Sequence, residues 1–70
     1  MLLGDKIRRL RRKMVLGQAD FAKVLNIHTA SVSHYETNNR LPLAHIMRRI
    51  IELAAQHNVD ITAEDYLKRS

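Results

Sequence analysis

The sequence predicts an all-α domain built from five short helices. Apolar residues recur at intervals of three and four through residues 3–14, 21–25 and 43–54. No segment shows the strict alternation of a half-buried strand. Asparagines at 26, 38, 39 and 58 punctuate these runs, and Asn tolerates the left-handed conformation in which helices commonly end. Seventy residues suffice for one domain, 1–70, with one core. A chain of this length buries roughly 60% of its unfolded surface, so its stability should be modest.

Leu3, Ile7, Leu10 and Met14, spaced by four, three and four, predict a first helix over about residues 4–14. Asp5 near its start complements the helix dipole, and Lys6, Arg8, Arg9, Arg11, Arg12 and Lys13 give it a basic outer face. "QADFAKVLN" predicts a second helix over about 18–25, with Phe21, Val24 and Leu25 as its stripe and Ala22 beside it. It is too short to be stable alone, so it must pack on its neighbours. "HTASVSHYE" predicts a third helix over about 28–36. "TNNR" predicts a turn, with Pro42 placed to open the next helix. Apolar positions 43, 46, 47, 50, 53 and 54 predict a fourth helix over about 43–57. Thr62 as N-cap, Asp65 at the reciprocal capping-box position, and Ile61 with Tyr66 as a hydrophobic staple predict a fifth over about 63–68.

Charge is uneven. Residues 1–49 hold ten Lys and Arg against three acids, about +7, whereas residues 50–70 hold two against four, about −2. A basic end of this kind suggests a polyanion, either nucleic acid or an anionic membrane. The first helix is amphipathic enough for a membrane surface, but its apolar stripe is needed for the core of so small a domain. No apolar run approaches the roughly 18 residues of a membrane span, and the start lacks the order of a secretory signal. The absence of cysteine removes disulfides and thiolate metal sites and fits a reducing, cytoplasmic setting. Ser31, Ser33, His34 and Glu36 contain the residue types of a hydrolase, but they crowd one short helix without a Gly-rich elbow or oxyanion donors. The four histidines lack metal-ligand spacing. No enzyme, cofactor or metal site is expected.

The third helix has unusual chemistry. At 100° per residue, His28, Ser31, Val32, Tyr35 and Glu36 fall within about 140° of one another, around the core side. Thr29, Ala30, Ser33, His34 and Thr37 occupy the opposite arc, which carries donors, acceptors and a methyl group but no full charge. A merely solvated face would more often carry Lys and Glu. Short hydroxyls, a methyl and an imidazole suit the edges of base pairs.

From Gln18 to Tyr35 the spacing resembles a helix-turn-helix formed by helices 2 and 3. Ala22 stands at the small-residue position, Asn26 at the turn, Ile27, Val32 and Tyr35 at the apolar positions after it, and Phe21 and Leu25 before it. More widely, "IRRLRRKMVLGQADFAKVLNIHTASVSHYETNNRLP" resembles the phage Cro/CI repressor-like (XRE-type) family of five-helix, lambda-repressor-like DNA-binding domains. The similarity covers about residues 4–57 well and the tail loosely.

This resemblance implies a sequence-specific regulator of transcription, acting as a repressor on double-stranded DNA in a bacterial or phage-infected cell. It places base reading on Thr29, Ala30, Ser33 and His34. It places backbone contacts on Gln18, Thr37, Asn38, Asn39 and Arg40, and a structural pair on Arg11 and Glu36; His28 reads either as a poor N-cap or as a further backbone contact. The pair agrees with the helical projection, which sets Glu36 beside the core, where an unpaired carboxylate is costly. A palindromic operator and a homodimer on DNA, weak or monomeric in solution, are implied, with helices 4 and 5 and Tyr66 and Leu67 as the dimer surface. Some relatives serve instead as antitoxins or protein-interaction modules without operator recognition; the count of basic residues argues for nucleic acid. Three positions depart from the family pattern: Val15 and Asn26 stand where Gly is common, and Gly17 where Ser or Thr caps. Val15 is expected to strain its turn or alter it.

Overall fold

The computed structural model describes residues 1–67. Among them are five helices and no strand: α1 (Leu3–Lys13), α2 (Gln18–Leu25), α3 (Thr29–Glu36), α4 (Ala44–Gln56) and α5 (Ala63–Leu67). The helices depart by a residue or two from the sequence expectation. His28 and Leu43 are extended N-caps rather than first helical residues. Pro42 is buried ahead of Leu43, outside α4, instead of opening it. Position 68, expected in the fifth helix, lies outside the described residues.

The core gathers Leu3, Ile7 and Leu10 of α1, Phe21, Ala22 and Leu25 of α2, and Val32 and Tyr35 of α3. Beneath them lie Ile46, Met47, Ile50, Leu53 and Ala54 of α4, with Val59 and Ile61. Helices α1 and α2 both pack against α3, while α4 supports α1 and α2 and carries α5. Two apolar residues expected inside are outside: Val24 is 38% exposed and Leu43 65%. In α2 the small Ala22 takes the inward place, 2% exposed, on the helix that packs against α3. Leu43 precedes α4 and does not share its periodicity.

The first three helices end in the same way. An amide bonds a carbonyl five residues back while the preceding residue sits at positive φ, the Schellman arrangement. Leu16 bonds Arg11, Ile27 bonds Ala22 and Asn39 bonds His34 in this way, and after α4 Val59 bonds Ala54. The positive-φ residues are Val15, Asn26, Asn38 and Asn58. Three are Asn, which tolerates this conformation. Val15 does not, so the turn carries the strain of a β-branched residue at φ 58°.

Gly4 permits a close approach between helices. A Cβ there would lie 2.6 Å from the backbone oxygens of both Tyr35 and Glu36 and 2.8 Å from Asn38 Oδ1. The start of α1 therefore presses on the end of α3, and Gly4 N–H donates to Asn38 Oδ1 at 2.9 Å. Farther along α1, Lys6 Nζ reaches Asp65 Oδ1 at 2.8 Å, while Asp65 Oδ2 accepts from Thr62 N–H at 2.9 Å. Asp65 thus makes the reciprocal bond of a capping box at the start of α5 and ties α5 to α1. Ile61 is buried and Tyr66 packs on the core, as the staple requires.

Candidate nucleic-acid interface

The exposed side of α3 has the composition that its sequence promised. Thr29, Ala30, His34 and Thr37 are exposed and Ser33 is half-buried. None of the first four side chains lies beneath another part of the fold, while Val32 and Tyr35 point into the core. His28 is exposed as the N-cap of α3, and its side chain makes no capping bond. Thr37 Oγ1 donates to Ser33 O at 2.9 Å, which closes the last turn of the helix. The hydroxyl oxygen keeps an acceptor site, but its proton is engaged within the helix.

Behind this face lies a buried carboxylate. Glu36, the last residue of α3, is only 2% exposed. Arg11 grips it with two bonds, Nε to Oε2 at 2.7 Å and Nη2 to Oε1 at 3.1 Å. Arg11 Nη1 also donates to Leu16 O at 3.0 Å, so one guanidinium joins the end of α3 to the strained turn after α1. Gln18 Nε2 donates to Glu36 Oε1 at 3.2 Å and Arg8 Nε to the same oxygen at 3.4 Å. Burial pushes the Glu36 carboxyl upward. The bonds from Arg11 and Gln18, the Arg11 charge and the Arg8 bond outweigh that and hold its pKa below the ordinary carboxylate value. The bonds to Glu36 likewise raise Arg11 against the opposing effect of burial.

Through Glu36, the start of α2 is fixed to the end of α3. The first helical bond of α2 runs from Phe21 N–H to Gly17 O. The amides of Gln18, Ala19 and Asp20 therefore point outward without a helical partner, and Gly17 supplies no side-chain cap. A Cβ on Gly17 would meet nothing within 4 Å, so that position is open. Such an end attracts anions, although Asp20 in the first turn offsets part of the attraction.

The turn after α3 supplies the other flank. Asn38, Asn39 and Arg40 are all exposed, and the amides of Asn39 and Arg40 bond His34 O at 2.9 and 3.3 Å. Asn38 holds φ 63° and uses its side-chain oxygen on Gly4, so its first role is to seat the turn against α1. Arg40 makes no ion pair among the described residues. The structure thus brings Gln18, Arg11 and Glu36 together directly. It sets His28, Thr29, Ala30, Ser33 and His34 along one helix, with Thr37–Arg40 continuing from its end.

Sequence reasoning missed two members of this arrangement, Gly4 and Arg8. Gly4 had a usable signal, since a glycine inside an apolar-periodic helix commonly marks close backbone approach. Arg8 had none, because one arginine among five basic neighbours is not distinguished by pattern. Among the described residues no group of three or more His, Cys, Asp or Glu could hold a metal ion, and no helix is long and apolar enough to cross a membrane. Comparison of the chain with protein-family models, with curated proteins and with solved structures finds no match.

Proposed function

We propose that this protein is a sequence-specific, double-stranded DNA-binding regulator of transcription with a lambda-repressor-like helix-turn-helix, acting as a repressor of the phage Cro/CI kind. The observation that carries this is the exposed arc of α3. Thr29, Ala30, His34 and Thr37 are exposed, with Ser33 half-buried beside them, while the helix is anchored from behind by Glu36. In this reading α3 enters the major groove. Thr29 and Ser33 donate to or accept from base edges, Ala30 meets a thymine methyl, and His34 bonds a purine edge. The open amides of α2, Gln18 and Arg40 hold phosphates on either side and set register. The surplus of positive charge, +5 for the chain, steers encounter. One helix of eight residues reads few base pairs, so two copies on a palindrome, about 34 Å apart, supply specificity.

Selection of bound duplexes from a random pool tests the reading. A palindromic consensus is expected. Ser33→Ala and His34→Ala should change it, at roughly 1–3 kcal/mol per lost base contact. Absence of any enriched sequence would reject operator recognition and favour a protein-interaction or antitoxin module.

A further inference from the structure

The cluster around Glu36 holds more positive charge than the carboxylate needs. Oε2 accepts from Arg11, and Oε1 accepts from Arg11 and Gln18. These three bonds satisfy and neutralise a buried carboxylate without help. Arg8 is nevertheless drawn to the same oxygen, with its side chain 38% exposed.

The two guanidinium groups are used differently. Arg11 spends its side edge, Nε and Nη2, on Glu36 and its remaining nitrogen on Leu16 O. Arg8 spends only Nε. Its terminal Nη1 and Nη2 have no hydrogen-bond partner among the described residues. That end-on fork is the edge that binds phosphate oxygens in bidentate fashion. Arg8 Nε and Gln18 Nε2 share one acceptor oxygen, so the Arg8 guanidinium and the side chain of the first residue of α2 converge on the same carboxylate. Three other basic residues of α1 have no such anchor. Arg9, Arg12 and Lys13 are exposed and make no ion pair among the described residues.

We propose that Arg8, held by Glu36, is a phosphate ligand at the start of α2, so that the guanidinium fork, the Gln18 amide and the first-turn amides of α2 enclose one phosphate of the DNA backbone. This inference rests on the DNA-binding reading and extends it to α1. Arg9 and Lys13, about 100° and 140° around α1 from Arg8, act only through the general field.

The test is the salt dependence of binding to a fixed mixed-sequence DNA duplex, measured for the wild type, Arg8→Ala, Arg8→Lys and Arg9→Ala, with melting curves for each. Arg8→Ala should make the slope of log K against log salt shallower by about 0.9, the loss of one phosphate contact. Its melting temperature should match the wild type, because Arg11 and Gln18 still satisfy Glu36. Arg8→Lys should keep the slope while binding more weakly, having charge but no fork. Arg9→Ala should keep the wild-type slope. An unchanged slope in Arg8→Ala, an equal loss in Arg9→Ala, or a large fall in melting temperature on removing Arg8 would each overturn the assignment. A wild-type protein that binds no duplex would instead refute the parent reading.

Discussion

Replacing Arg11 with Met leaves Glu36 buried with Gln18 and a more distant Arg8 as its only donors. Two charge-assisted bonds disappear, each worth about 1.5–3 kcal/mol, together with the neutral bond to Leu16 O. Arg8 can move in and recover part of this, and Arg11 itself is 14% exposed rather than sealed. The expected net cost is about 3 kcal/mol, at the lower end for breaking a buried pair. In a domain this small 1 kcal/mol moves the melting temperature by about 4–8 °C, so a drop on the order of 15 °C is expected. Acid should narrow the difference. In the wild type the folded pKa of Glu36 is depressed, so its contribution is fully present above the unfolded carboxylate value and is lost as pH falls through the folded one. In Arg11→Met the two Arg11 contributions that hold this carboxyl down are gone and burial is opposed only by Gln18 and Arg8, so the folded pKa rises relative to the wild type and less of the stabilisation remains at neutral pH. Melting curves at neutral pH and below the ordinary carboxylate range measure both effects. Equal melting temperatures, or a difference that does not shrink in acid, would refute the account of this cluster.

Two further substitutions probe the frame that presents α3. Val15→Gly removes a β-branched residue from positive φ at a site 88% exposed; it should stabilise by about 1 kcal/mol, seen as a higher denaturant midpoint with unchanged slope. Gly4→Ala drives a methyl group into the carbonyls of Tyr35 and Glu36; it should cost about 1–3 kcal/mol and weaken duplex binding beyond what stability explains, because the turn carrying Arg40 is seated on Gly4.

Most of the architecture was legible because periodicity and punctuation agreed. The stripe through Leu3, Ile7 and Leu10 is buried throughout, and Asn26, Asn38 and Asn58 stand at positive φ where helices end. The Glu36 environment was also legible, since helical projection sets it on the core side and the resemblance to repressor-like domains suggested Arg11 as its partner. What escaped were properties of pairs of helices. Whether Val24 or Ala22 faces inward depends on how α2 is set against its neighbours, which one helix's pattern does not encode. Asn38 read as a turn residue, yet its side chain also caps the start of α1 from across the fold. Arg8 is separated from its basic neighbours only by the position of Glu36, a long-range fact.

The central claim, that the exposed flank of α3 is the surface that meets DNA, is tested most directly by amide resonances recorded during titration with a selected duplex. The largest shifts are predicted for Thr29–Thr37, the first turn of α2 and Arg40, with the outer face of α4 around Arg48 and Glu52 little changed. Shifts concentrated on that outer face of α4, with Thr29, Ser33 and His34 unmoved at saturation, would contradict the claim.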